Sequence, residues 1–115
     1  MLERTIARAD GPVATYAARL RDGDDTVGFV GYSPRLIEAS AELELGWLLL
    51  PKFHGRGYAT EAALTVRRLV PGRVISLIRV ENEASKNVAR KVGMTPEREI
   101  EFAGFRTELF ASPSR

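Results

Sequence analysis

The chain has 115 residues, enough for one domain around a single core, and its 44% hydrophobic content is that of a globular protein. The 17 Lys+Arg against 15 Asp+Glu leave a net charge of +2, too small an excess to mark a nucleic-acid surface. With no cysteine and one histidine, disulfides, thiolate zinc sites, a cysteine nucleophile and a multi-histidine metal centre are excluded, and no metal is expected.

In chain order, Glu3, Arg4, Arg8, Asp10 and Arg19 break any signal-peptide core, and no apolar run approaches spanning length. A cytoplasmic protein without membrane or nucleic-acid partners is expected. Residues 2–9 fit a short helix with Leu2, Ile6 and Ala9 on one side, stopped by Gly11 and Pro12. Residues 16–21 and 26–33 read as strands of a β-hairpin around Asp22-Gly23-Asp24-Asp25. Pro34 and the segment 33–40 form a connection. Residues 41–50, AELELGWLLL, alternate and then turn wholly apolar, as a strand does on passing into a buried setting, and Pro51 closes it.

From residue 58 to 70 the apolar period becomes helical, through Ala59, Ala62, Ala63, Val66, Leu69 and Val70, and Pro71-Gly72 stop it. Residues 74–80, VISLIRV, predict a buried strand. A second helix follows, with Asn82 as N-cap and Gly93 as its end. REIEF (98–102) and TELFAS (107–112) flank Ala103-Gly104 as two last strands. The order β-β-β-α-β-α-β-β predicts one α+β domain over residues 1–115, with a mixed sheet.

Between strand and helix stands His54-Gly55-Arg56-Gly57-Tyr58-Ala59-Thr60. Its glycines open backbone angles closed to other residues, and its N–H groups would point outward at the positive end of a helix dipole. That combination suits phosphate. A plain tight turn also accounts for it. A dinucleotide fingerprint, Gly55-x-Gly57-x-x-Thr60 with Glu81 ending the next strand, lacks the third glycine and follows a meander.

Two blocks carry a resemblance. His54-Gly55-Arg56-Gly57-Tyr58-Ala59 resembles the pyrophosphate loop, and Asn82, Ser85, Lys91, Gly93 and Met94 resemble the second motif, of the GNAT superfamily of acetyl-CoA-dependent N-acetyltransferases. The likeness spans residues 41–94 and is greatest to the Rim-type branch that acetylates ribosomal-protein N-termini. It implies acetyl-CoA as cosubstrate and a primary amine, a protein N-terminus or a small amine, as acceptor. It implies that main-chain groups of Leu48, Leu49 and Leu50 meet the pantetheine in a gap between splayed strands. The N–H groups of Gly55, Arg56, Gly57, Tyr58, Ala59 and Thr60 would hold the diphosphate. Gly46 would mark a bulge opening the gap, and Asn82 would touch the cofactor. His54 stands where the family prefers Arg or Gln. Arg56, Lys86 and Arg90 are candidates for meeting phosphates.

Direct transfer to an amine needs a base, a steadied oxyanion and a proton donor to the leaving thiolate. Glu44 is the candidate base and Glu42 the second choice, either with its pKa raised by apolar surroundings. Ser85 is the candidate donor to sulfur, or else a helix-start serine serving local backbone. The resemblance also implies a first strand and helical segment that are missing ahead of residue 16. An uncovered edge would then favour a dimer. A CoA-binding module without turnover is the alternative function.

Overall fold

The computed structural model describes the backbone of residues 2–10, and residues 13–20 and 25–113 in full. Four consecutive strands form an antiparallel meander: β1 (Leu2–Asp10), β2 (Val13–Leu20), β3 (Thr26–Ile37) and β4 (Ser40–Leu49). A 3-10 turn at Pro51–Phe53 leads through the glycine loop into α1 (Tyr58–Arg67) and β5 (Val74–Arg79). Then come α2 (Glu83–Lys91), β6 (Thr95–Phe102) and β7 (Phe105–Ser112). Among the described residues the sheet has seven strands in the order β1-β2-β3-β4-β5-β7-β6. Only β4 and β5 run parallel, so the expected mixed α+β sheet is what forms. A dinucleotide fold needs successive parallel units, whereas the other neighbour of β5 is antiparallel β7.

Several expected elements are redrawn. Residues 2–9 are not helical but part of β1, paired from Leu2↔Leu20 to Asp10↔Val13. A helix that short is marginal, while a two-residue connection to β2 gives its backbone a ladder. A strand therefore fills the sheet position expected to be missing. Among the described residues no helix separates it from β2. The hairpin expected around residues 22–25 exists as β2 and β3, though residues 21–24 lie outside the described residues. Segment 33–40 is mostly strand, because β3 continues through Pro34 and turns at Glu38 and Ala39, both at positive φ. Pairing with β2 ends at Tyr32, so a proline lacking its N–H leaves no bond unmade on that side. Helix α1 stops at Arg67 rather than residue 70, where the Arg67 guanidinium donates to the Val70 carbonyl (2.8 Å) and to Ser112 O (3.1 Å).

Alternation along the strands sorts the core. Ala14, Tyr16, Ala18, Val30, Leu45, Val74, Ile78 and Phe110 join Ala62, Ala63 and Val66 of α1 and Ala89 of α2 in the larger cluster. The opposite face of β5 and β7 gives a smaller one: Ile75, Leu109 and Ala111, with Ile37 from the β3–β4 hairpin. β5 is buried on both sides, as its sequence predicts. The leucine run is not: Leu48 is 69% exposed and Leu50 45%, so β4 emerges from the core where it was expected to enter it.

One polar node ties the sheet ends together. Arg73 donates to both oxygens of Glu42 (3.0 and 3.1 Å), both of Glu97 (2.8 Å each) and the Pro113 carbonyl (3.0 Å). Its hydrogen bonds to Glu97, then to Glu42, push the Arg73 pKa further above the ordinary arginine value. Removing one partner of a buried cluster leaves the others uncompensated. Arg73→Met should therefore cost about 3 kcal/mol, seen as a lower urea midpoint at unchanged slope. A loss below about 1 kcal/mol would mean the node contributes no more than an exposed ion pair.

Candidate functional site

The ladder between β3 and β4 runs without a shift from Ile37↔Ser40 to Gly28↔Leu49, so Gly46 marks no bulge. The bulge reading is corrected, since the gap opens on the other side of β4. There the parallel pairing with β5 holds at one position, Glu44↔Ile75, and the strands then part. The Ser76 hydroxyl, on β5, donates to the Leu45 carbonyl at 2.7 Å and satisfies the first carbonyl beyond that pair.

Antiparallel ladders alternate residues whose amide groups face the partner with residues whose groups face away. Leu50 N–H donates to Val27 O at 2.8 Å, which fixes the phase. Residues 48 and 50 thus direct their main-chain groups at β3, and Trp47 and Leu49 direct theirs into the gap. Of the three leucines expected there, only Leu49 has the right phase, and Trp47 was missed. The signal lay in the two-residue turn at 38–39, which sets the register. The Leu49 carbonyl is held by His54 Nε2 at 2.9 Å, with the ring nitrogen as donor. His54 is thus tied to the strand end and not simply solvated.

The loop is anchored at both ends. Phe53 is buried and meets Tyr58 edge-on, ring centroids 6.3 Å apart. Gly55 and Gly57 take φ of 77° and 78°, a region that strains other residues, and Gly57 is the N-cap of α1. Main-chain bonds resume with Glu61 N–H to Gly57 O, while the N–H groups of residues 55–60 donate to no described residue. Gly55, Gly57, Tyr58, Ala59 and Thr60 line a groove of about 480 Å³, walled by Trp47, Leu49, Asn82, Ser85 and Lys91. Among the cations singled out from sequence, Arg56 is exposed outside this lining. Lys86 is buried beside Glu108 (3.5 Å) and Glu83 (3.6 Å), and Arg90 bonds Asn87 (3.1 Å). Lys91, at the same helix end, is the cation lining the groove.

Trp47, Asn82 and Ser85 also line a second cavity of about 380 Å³, in the gap between β4 and β5, together with Glu44, Gly46 and Ser76. Asn82 Oδ1 accepts from Ser85 N–H at 3.1 Å, capping α2 as its sequence predicts. That leaves the Ser85 hydroxyl without a bond to any described residue, so it is not serving local backbone. Glu44 faces the same cavity. Its surroundings are not apolar: Arg35 donates twice to Oε1, at 2.9 and 2.6 Å, leaving Oε2 unbonded to any described residue. Glu42 is held by Arg73 and lines neither cavity, which removes it as the second choice of base.

A sheet whose two parallel strands part beyond one register pair, with a glycine loop and helix start at the mouth of the gap, defines a class. The acetyltransferase (GNAT) domain family model matches residues 1–95, and the chain belongs to that family. It is 31% identical over 83 residues to the uncharacterized N-acetyltransferase YnaD of Bacillus subtilis (strain 168), covering 68% of this chain and 48% of that protein. Among solved structures, the acetyltransferase from Agrobacterium tumefaciens str. C58 superposes with a TM-score of 0.73 at 26% identity, covering 88% of this chain and 61% of that one. RimL, the ribosomal L7/L12 alpha-N-protein acetyltransferase in complex with coenzyme A, superposes at 0.67 with 23% identity, covering 86% and 60%. The chain spans about half the length of the curated relative.

Asn82→Ala should lower stability by about 1 kcal/mol through loss of the cap, and Asn82→Asp should restore it, read as thermal melting. Equal losses in both variants would assign the effect to something other than capping.

Proposed function

We propose that the protein transfers an acetyl group from acetyl-CoA directly to a primary amine, a protein N-terminus or a small amine. One observation carries this: the N–H groups of residues 55–60 are unengaged at the start of α1, at one end of a groove running past Trp47 and Leu49 to Glu44 and Ser85. Such N–H groups at a helix start suit a diphosphate. The unpaired main-chain groups of Trp47 and the N–H of Leu49 suit an amide-bearing arm lying alongside as a strand would. Bound RimL gives the same cofactor a precedent in this fold.

Acetyl-CoA when bound supplies the thioester; the chain supplies the rest. The free Glu44 Oε2 takes a proton from the acceptor's ammonium, and Arg35 fixes the carboxylate through Oε1. The amine nitrogen then forms its bond to the carbonyl carbon, the carbon–sulfur bond breaks, and the second proton that this nitrogen gives up ends on the departing sulfur as the CoA thiol, with the Ser85 hydroxyl donating a hydrogen bond to that sulfur as it leaves. A second copy pairing at one of the two outer strands, β1 or β6, is the partner we propose for the open sheet edges.

A CoA-binding module without turnover is favoured by one feature, the pairing of Glu44 with Arg35, which already engages the proposed base. The two readings separate by experiment. Calorimetric titration with acetyl-CoA should show binding, and its absence at millimolar cofactor defeats both. With an amine panel, Glu44→Gln and Ser85→Ala should each lower the rate of thiol release by about 10²-fold while leaving cofactor affinity in place. No thiol release by the wild-type protein would leave the binding module standing.

A further inference from the structure

The carboxylate proposed as base is held by a side chain that is itself open to water. Arg35 donates from Nε and Nη2 to Glu44 Oε1, at 2.9 and 2.6 Å, and its side chain is 40% exposed against 18% for Glu44. An ion pair that open contributes little, because a long side chain gives up rotamer freedom to keep one geometry. Holding Glu44 in one orientation therefore requires that the guanidinium be held as well.

The second contact is on its flat face. Arg35 Cζ stands over the Phe102 ring, 5.3 Å from the centroid. A guanidinium bonds through its in-plane N–H groups and stacks through its face, so the two contacts do not compete. Phe102 and Arg35 are not on neighbouring strands, since β4, β5 and β7 separate β3 from β6 in the sheet. They meet because β6 is drawn across to the β3–β4 hairpin. Ile100 and Phe102 pack with Ile37, Ile75, Leu109 and Ala111 in the smaller cluster, and Arg98 bonds Glu38 at the hairpin turn. Ala103 and Gly104, at φ of 53° and 84°, form the two-residue turn that pairs Phe102 with Phe105 and so sets which face its ring takes.

We propose that Phe102 is a positioning residue for acetyl transfer: its ring holds the Arg35 guanidinium, which holds Glu44 with Oε2 toward the cavity. The proposal rests on Glu44 as base in the acetyl-transfer reading above. Phe102 lines neither the groove nor the cavity between β4 and β5, so it acts through Arg35 alone.

The test compares Phe102→Leu and Phe102→Met, which keep apolar volume in the cluster without the ring, with Phe102→Tyr, which keeps the ring. With acetyl-CoA and an amine that the wild-type protein acetylates, the two ringless variants should lower kcat about three- to fivefold, the size of a solvent-exposed cation–π contact, at unchanged KM for acetyl-CoA. Phe102→Tyr should match wild type. In an Arg35→Gln background the ringless variants should cause no further loss, whereas a ring with only a packing role would cost the same with or without Arg35. A second readout follows the Arg35 ¹⁵Nε–Hε cross-peak, assigned by its loss in Arg35→Gln. Its exchange with water should quicken in the ringless variants and stay at the wild-type rate in Phe102→Tyr. Unchanged kcat or unchanged exchange in the ringless variants overturns the proposal, as does an equal loss in the Arg35→Gln background. An inactive wild-type protein, or a Glu44→Gln variant at full rate, defeats the acetyl-transfer reading or its base and the proposal together. A slowed Glu44→Gln beside full-rate ringless variants defeats the proposal alone.

Discussion

The architecture turns on the parting of two parallel strands after a single register pair. Elsewhere in the sheet each strand satisfies its neighbour, but past Glu44 and Ile75 one edge of β4 has no strand to bond. Unpaired amides inside a fold are costly unless something meets them. Two side chains meet part of the need, Ser76 on the Leu45 carbonyl and His54 on the Leu49 carbonyl. The amides of Trp47 and the N–H of Leu49 are left over, and they line a groove. A gap held open by such side-chain substitutes is preorganised, since the edge need not be released before a ligand arrives.

The same parting leaves His54 a carbonyl to hold. Its imidazole reaches five residues back to the end of β4, fixing the angle at which chain leaves strand and enters loop. Phe53, packed into the core and against Tyr58, holds the loop from below. The loop's glycines take positive φ at the start of α1, the end of a helix whose dipole favours negative charge.

Two glutamates two residues apart on one strand face illustrate how surroundings divide equal chemistry. Glu42 is 9% exposed and shares Arg73 with Glu97, so both of its oxygens hold the sheet to the C-terminal segment. Glu44 meets Arg35 through one oxygen and keeps the other toward the cavity. A carboxylate engaged on one side is oriented and still able to accept a proton. One engaged on both sides by a partly buried guanidinium is structural.

By itself the sequence determined the elements that local chemistry dictates. The Asn82 cap, the helical periods of α1 and α2, the β-branched run of β5, and the glycine loop between strand and helix all depend on neighbours a few residues away. The placing of Glu44 on a strand and of Asn82 and Ser85 at a helix start was legible for the same reason. Tertiary structure alone decided what depends on pairing between distant segments. Residues 2–10 became a strand because β2 offered a ladder. Leu48 and Leu50 came out exposed because alternation along β4 turns Leu49, between them, toward the core. Trp47, not Leu48, faces the gap because the turn at residues 38–39 set the register. Which glutamate is free was decided by Arg73 and Arg35, brought near by folding and invisible in local spacing. Periodicity reports which side of an element is apolar; it carries no information on which strand will lie beside it.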